Sequence, residues 1–185
     1  QEEAEALKSL GLPYILCHHT KGFGSYHRCS TDNRLGGMLQ AEYLRHQGCS
    51  RAAYLTGYLD TVSAHRERME GFTLRSRELG IDVELYPRAM EDGLLWQDGW
   101  DAAAAVNDLT LLKALQRSPE ETSRKCLVGY DAMPIRSLVS QGFPSVDLKP
   151  WMIYRRAAEL LIEHLQSGGS DQCISEVVSP VLDQR

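Results

Sequence analysis

Polar side chains stand where apolar runs end in this sequence. Asp131 follows the run 125–130, Asn107 and Asp108 follow the Ala-rich run 102–106, and Arg68 lies in a helical pattern four residues before Phe72. Runs of four to six apolar residues that alternate with helical patterns indicate a parallel α/β sheet, and such sheets gather ligands outside the carboxyl ends of their strands. A carboxylate and an amide at those ends suit a small polar molecule. Arg68 shares a helix face with Phe72. Its guanidinium either clamps vicinal hydroxyls or an anion, or its stem covers the edge of the sheet. Asn107 or Asp108 must cap the following helix, whose first N–H groups lack partners. We expect Asp108 to cap and Asn107 to bind. Asp131 has its own plain alternative, capping a turn ahead of Pro134.

Other chemistries find less support. His18, His19, His27 and Cys29 are loosely spaced across a Gly-rich stretch, and the sequence has no Cys-x-x-Cys pair, so no metal site is expected. No Gly-x-Ser-x-Gly elbow and no Gly-rich phosphate loop with Lys-Ser or Lys-Thr occurs. Asp32 and Asp131 could form a carboxylate pair, but a site that binds a small polar molecule uses the same groups without chemistry. We therefore expect no enzyme, no catalytic residue and no cofactor. His65 and His164 read as surface residues.

Composition narrows the class further. The 185 residues are 43% hydrophobic and 24% charged, without an apolar run near the ~20 residues that span a bilayer. Twenty Lys and Arg against 25 Asp and Glu leave a net charge of −5. The densest basic cluster, Arg66, Arg68, Arg75 and Arg77, is interleaved with Glu67, Glu70 and Glu78, so this chain offers no basic face for nucleic acid. Five scattered cysteines, an odd number, fit a reducing compartment, and we expect a cytoplasmic protein.

Helices are predicted over 2–10, 34–47, 63–79, 109–115 and 151–165, and strands over 12–17, 52–55, 81–86, 102–106, 125–130 and 174–178. Residues 18–30 read as a loop, 87–100 as neither state, and 132–150 as irregular.

Three segments in this order resemble one family. They are Asp32-Asn33-Arg34-Leu35-Gly36-Gly37, then Ser63 with Arg68-Met69-Glu70-Gly71-Phe72, then Val106-Asn107-Asp108 with Val128-Gly129-Tyr130-Asp131. Together they resemble the sugar-sensing effector domain of the lactose-repressor family of bacterial transcription regulators, from about Glu2 to the C-terminus. The resemblance implies the fold of periplasmic binding proteins of type I: two Rossmann-like lobes, three crossovers and a ligand cleft. Residues 1–50 would form part of the first lobe and 51–146 the second. Residues 147–167 would return to the first lobe and 168–185 to the second.

The resemblance also implies ligand roles. Arg68 would clamp hydroxyls or an acidic group, Asn107 would bind hydroxyls, and Asp131 would accept from adjacent hydroxyls. Asp32 sits near the first-lobe acid, Trp151 aligns with an aromatic of the cleft wall, and Lys149 beside it suggests, with Arg68, a phosphorylated or otherwise acidic sugar. The implied partners are a sugar or sugar-phosphate effector, a second copy in a homodimer, and operator DNA. The DNA would be reached only through a helix-turn-helix module that this chain does not contain. A periplasmic or secreted sugar-binding protein is the alternative, and an enzyme acting on a sugar a more distant one. The family also has a strand-helix-strand-helix stretch before the position of Glu2, so the first lobe is expected to be incomplete here. Between Gly99 and Asp101 it carries most of a helix, and we expect residues to be missing there.

Overall fold

The computed structural model describes residues 2–18, 26–57, 62–87, 100–118, 125–138, 142–168 and 173–184. Along the described chain run α1 (Glu2–Ser9), β1 (Leu16–Cys17), β2 (Arg28–Thr31), α2 (Asn33–His46), β3 (Arg51–Leu55), α3 (Ser63–Leu79) and β4 (Asp82–Tyr86). Then follow β5 (Ala102–Ala105), α4 (Asp108–Gln116), β6 (Cys126–Tyr130), a 3-10 turn (Pro134–Leu138), β7 (Ser145–Asp147), α5 (Pro150–Gln166), β8 (Ser175–Val178) and β9 (Val181–Asp183).

The chain divides into two units. The first, Gln1–Asp32 with Lys149–Ser179, holds a three-stranded parallel sheet in the order β1-β2-β8. Its core is small: Cys29 of β2 packs with Ile153 and Ala157 of α5, and Ile15, Cys17 and Val178 close the margin. Helix α5 starts on Pro150, whose missing N–H costs nothing in a first turn.

The second unit, Asn33–Leu148 with Pro180–Arg185, holds the sheet β4-β3-β5-β6-β7-β9, parallel except where β9 runs antiparallel to β7. Its central strand is an unbroken alanine run, all four residues fully buried. A parallel strand covered on both faces needs no polar alternation. Ala103 and Ala105 face one core with Leu55, Trp100 and Leu111; Ala102 and Ala104 face another with Leu44, Tyr54 and Phe72. Helices α2 and α3 cover the second face. They approach so closely that a Cβ on Gly37 would strike the carbonyl of Arg68, and one on Gly71 the carbonyl of Arg34.

That contact explains where the units exchange. The sequence reading placed the boundary after Ser50, whereas the structure places it between Asp32 and Asn33, because α2 packs on α3 rather than on the first sheet. Within 168–185, residues up to Ser179 belong to the first unit and Pro180–Arg185 to the second.

Three strands escape the sequence reading. Strand β2 starts inside the presumed loop 18–30 and runs on to Thr31, β7 lies within the irregular stretch 132–150, and β9 follows the strand taken as the last. Each is three or four residues long, too short to show a period. Strand β2 is also polar, Arg-Cys-Ser-Thr, although three of its four residues are buried between two neighbours. Conversely, the run 12–17 shrinks to β1, with Leu12 exposed. The argument for missing residues beside Trp100 also falls. The preceding strand ends at Tyr86, so 87–101 are available for the parallel crossover to β5. Most of that stretch, 88–99, lies outside the described residues.

Helix propensity and packing make opposite predictions for Gly71→Ala. Alanine gains about 1 kcal/mol in a helix interior, but the backbone collision with Arg34 admits no rotamer escape. We expect a net destabilisation of roughly 1–3 kcal/mol in urea unfolding; an unchanged or raised midpoint would contradict the close α2–α3 packing.

Candidate functional site

The carboxyl ends of β3, β5 and β6 point the same way in a parallel sheet, and the residues just past β5 and β6 are Val106-Asn107 and Asp131. Helix α3 brings Arg68 to them. The Arg68 side chain is 8% exposed, and its guanidinium meets a partner on each side. Nε donates to Asn33 Oδ1 at 3.0 Å, and Nη1 donates to the Val106 carbonyl at 2.8 Å. Nη1 also lies 3.1 Å from Asp131 Oδ1. Its Cζ stands 3.9 Å from the centroid of the Tyr130 ring, a cation–π contact.

Asn33 is oriented in turn. Its Nδ2 donates to Glu67 Oε2 at 3.4 Å, and its carbonyl accepts from the Tyr130 hydroxyl at 3.5 Å. That hydroxyl fits only because residue 36 is glycine: an added Cβ would collide with it. A glutamine lies deeper. Gln40 of α2 is fully buried, and its Nε2 donates to the Ala105 and Gly129 carbonyls, both at 2.9 Å, tying the ends of β5 and β6 to one side chain.

The capping role expected of Asp108 falls to Asn107 instead. Asn107 is the N-cap of α4, its Oδ1 accepting from Thr110 N at 2.7 Å. Its Nδ2, which lies 3.4 Å from His65 Nε2, is the amide's donor group. His65, read from sequence as a surface residue, is part of this corner. Asp108 is fully buried and caps nothing. Instead Oδ2 accepts from Met133 N and Oδ1 from Ser145 Oγ, both at 2.7 Å, and Ser145 Oγ accepts from Ala132 N at 2.9 Å. Gly129 makes room for it, since a Cβ there would strike Asp108 Oδ1. These bonds hold a loop in which Asp131 and Ala132 both have positive φ, 93° and 48°, a conformation L-residues adopt at a cost.

The six expected site residues thus fall in two groups. Arg68, Asn107 and Asp131 lie in the second unit. Arg68 and Asp131 pair directly there, and Asn107 follows the carbonyl that Arg68 holds. Asp32, Lys149 and Trp151 lie in the first unit. Asp32 follows β2, and its N–H bonds the Val178 carbonyl. Lys149 has a left-handed backbone, φ 52°, at the start of α5, and Trp151 is 62% exposed. Sequence reading missed Asn33, Tyr130 and His65. The signal for Tyr130 was present, an aromatic directly before a strand-end aspartate with a Gly-Gly pair upstream, but only the fold sets Gly36 against it. Among the described residues, no group of three or more His, Cys, Asp or Glu could hold a metal. His19 lies outside them.

Burial pushes the Asp108 carboxyl up to about 6; Asp131 nearby adds to the rise, while the bonds from Ser145 and Met133 and the charge of Arg136 oppose it. The folded state therefore binds this proton more tightly than the unfolded chain. The contribution of Asp108 to stability is greatest below the ordinary carboxylate range and is lost as pH rises through about 6. Asp108→Asn has no proton to lose. Between pH 4 and pH 7 it should gain on the unsubstituted protein by up to about 3 kcal/mol in denaturant unfolding; a difference independent of pH would contradict the burial of a charged carboxylate.

Comparison with known proteins adds the following. A family model described as periplasmic binding protein-like domain matches residues 41–185. No curated protein matches the sequence. Among solved structures, the chain is similar to a LacI family transcriptional regulator from Enterococcus faecalis with bound ribose: 18% identity, TM-score 0.80, 98% of this chain and 70% of that one. It is similar to the periplasmic binding ribose operon repressor protein from Lactobacillus acidophilus, at 22% identity and TM-score 0.78, over 94% and 69% of the two chains. It is also similar to an ABC transporter periplasmic solute binding protein from Actinobacillus succinogenes with bound D-allose, at 18% identity and TM-score 0.79, over 98% and 72%. These likenesses establish the fold.

Proposed function

Because this chain belongs to the periplasmic binding protein-like domain family, we propose that it is the effector-sensing domain of a LacI-family transcription regulator, binding a neutral sugar at Asp131, Arg68 and Asn107. The observation that carries this reading is the Arg68–Asp131 pair at the carboxyl ends of β5 and β6, with Arg68 buried and the Asp131 side chain 26% exposed. Asp131 offers acceptor oxygens to hydroxyls, while Arg68 and the Asn107 amide offer donors. Donors and acceptors side by side match vicinal hydroxyls, which both donate and accept.

The pair also bears on charge. The guanidinium already faces a carboxylate, so the site favours a neutral polyol over the phosphorylated sugar that Arg68 and Lys149 together suggested. The ribose and D-allose of the similar structures are of this neutral kind. Asp32, Lys149 and Trp151 enter the reading on the resemblance alone. The regulator would act as a homodimer, with operator DNA contacted by a helix-turn-helix module outside this chain. The sugar would change operator affinity only through its differential affinity for two states of the protein.

A periplasmic solute-binding protein is the second reading, favoured by the likeness to the D-allose-bound protein. Five free cysteines speak for a reducing, cytoplasmic setting instead. Among the described residues no helix is long and apolar enough to cross a membrane.

Calorimetric titration with D-ribose, D-allose and D-ribose 5-phosphate tests the reading. A neutral sugar should bind more tightly than the phosphate, and Asp131→Ala should weaken it by roughly 2–4 kcal/mol, the cost of leaving charged or polar partners unpaired in a desolvated site. Preference for the phosphate, or equal affinity after Asp131→Ala, would contradict it.

A further inference from the structure

Nothing in the proposed ligand set uses Asp108, yet it is a fully buried carboxylate with both oxygens engaged. We propose that Asp108 and Ser145 together form the positioning device for Asp131, holding the 131–133 loop so that its carboxylate stays beside Arg68. The inference rests on the sugar-site reading for its functional meaning, but its geometry does not.

Asp131 leaves β6 with φ 93° and Ala132 continues with φ 48°, so two consecutive non-glycine residues occupy a disfavoured region. Such a turn persists only where its surroundings over-determine it. Here the surroundings are specific. Asp131 N donates to the Val146 carbonyl at 2.8 Å, Ala132 N to Ser145 Oγ at 2.9 Å, and Met133 N to Asp108 Oδ2 at 2.7 Å. Three successive N–H groups are thus each taken by a defined acceptor. Ser145 and Val146 lie on β7, the parallel neighbour of β6. Ser145 Oγ completes the chain by donating to Asp108 Oδ1 at 2.7 Å. Asp108 is the first residue of α4, so the loop is anchored to the helix that Asn107 caps. Gly129 is required as well, because any side chain there would displace the Asp108 carboxylate. The charged groups bearing on Asp108 are Asp131 and, with opposite sign, Arg136. Both belong to the 131–138 stretch that it holds.

The functional consequence is indirect. Asp108 does not reach a ligand at Asp131; it sets where the Asp131 oxygens stand relative to Arg68. Its loss should therefore loosen the ion pair without unfolding the sheet.

NMR of the ligand-free protein tests this by the exchange of the Arg68 side-chain hydrogens. The Arg68 Nε–H, held by Asn33 Oδ1, serves as an internal control, since Asn33 belongs to α2 and not to the loop. Asp131→Asn sets the scale for a weakened pair. Ser145→Ala and Asp108→Ala should each accelerate Arg68 Nη exchange by at least half the factor seen in Asp131→Asn, with Nε unchanged. Ser145→Ala, the milder change, keeps the test readable if Asp108→Ala does not fold. Nη exchange as slow as in the unsubstituted protein would overturn the positioning role, and so would equal acceleration of Nε and Nη, which would mean that α3 itself had loosened. Failure of every sugar to bind would sink the functional reading while leaving this measurement intact, so the two failures are distinguishable.

Discussion

A buried guanidinium cannot shed its charge, so everything around Arg68 has to satisfy it. Its partners come from three elements far apart in sequence. Asn33 opens α2, Val106 ends the central alanine strand, and Asp131 and Tyr130 end β6. For these groups to converge, α2 must lie almost against α3, which the glycines at 37 and 71 allow, and Gly36 must leave room for the Tyr130 hydroxyl. The strands must also end in register, which Gln40 secures by holding two of them at once. The requirements of folding and of the site coincide at this one side chain. Burying such a pair is seldom a route to stability, since desolvation offsets most of the attraction. Its place at strand ends, with one carboxylate left partly open, suits the ligand role proposed for it.

Behind that pair stands a second layer with different chemistry. Asp108 faces the Met133 N–H and a serine hydroxyl rather than solvent, and it supports a loop whose torsion angles would not persist unaided. The arrangement divides labour between two neighbouring polar residues at one helix start. Asn107 caps α4 and sets its amide beside His65, while Asp108 turns inward and ties the β6 loop to β7 through Ser145.

How much of this the sequence disclosed depends on the length of each signal. Helix α3, with its stop at Gly80, and the strands β3, β5 and β6 were legible because their apolar patterns are long and their breakers clear. Asp131 was singled out from its place at a strand end, Arg68 from the helix face it shares with Phe72, and both from an ordered set of motifs. The cap was assigned to Asp108 rather than Asn107, because an Asn-Asp pair before a helix contains two competent caps and only tertiary packing shows which one is buried. Strands β7 and β9 were missed since three residues carry no period, and β2 because it is polar although buried. The boundary between the units was misplaced for a related reason. The packing of α2 on α3 depends on glycines that express no preference for a unit until the two helices meet.

The central claim is that Asp131, held beside Arg68, receives the hydroxyls of a neutral sugar. The most direct test is a crystal structure of the protein grown with the best-bound sugar of the titration panel. The account predicts two adjacent sugar oxygens within about 2.6–3.2 Å of the Asp131 carboxylate and the Arg68 guanidinium, with the 131–133 loop still bound to Ser145 and Asp108. A sugar seated away from Asp131, or one that displaces Arg68 from it altogether, would contradict the account.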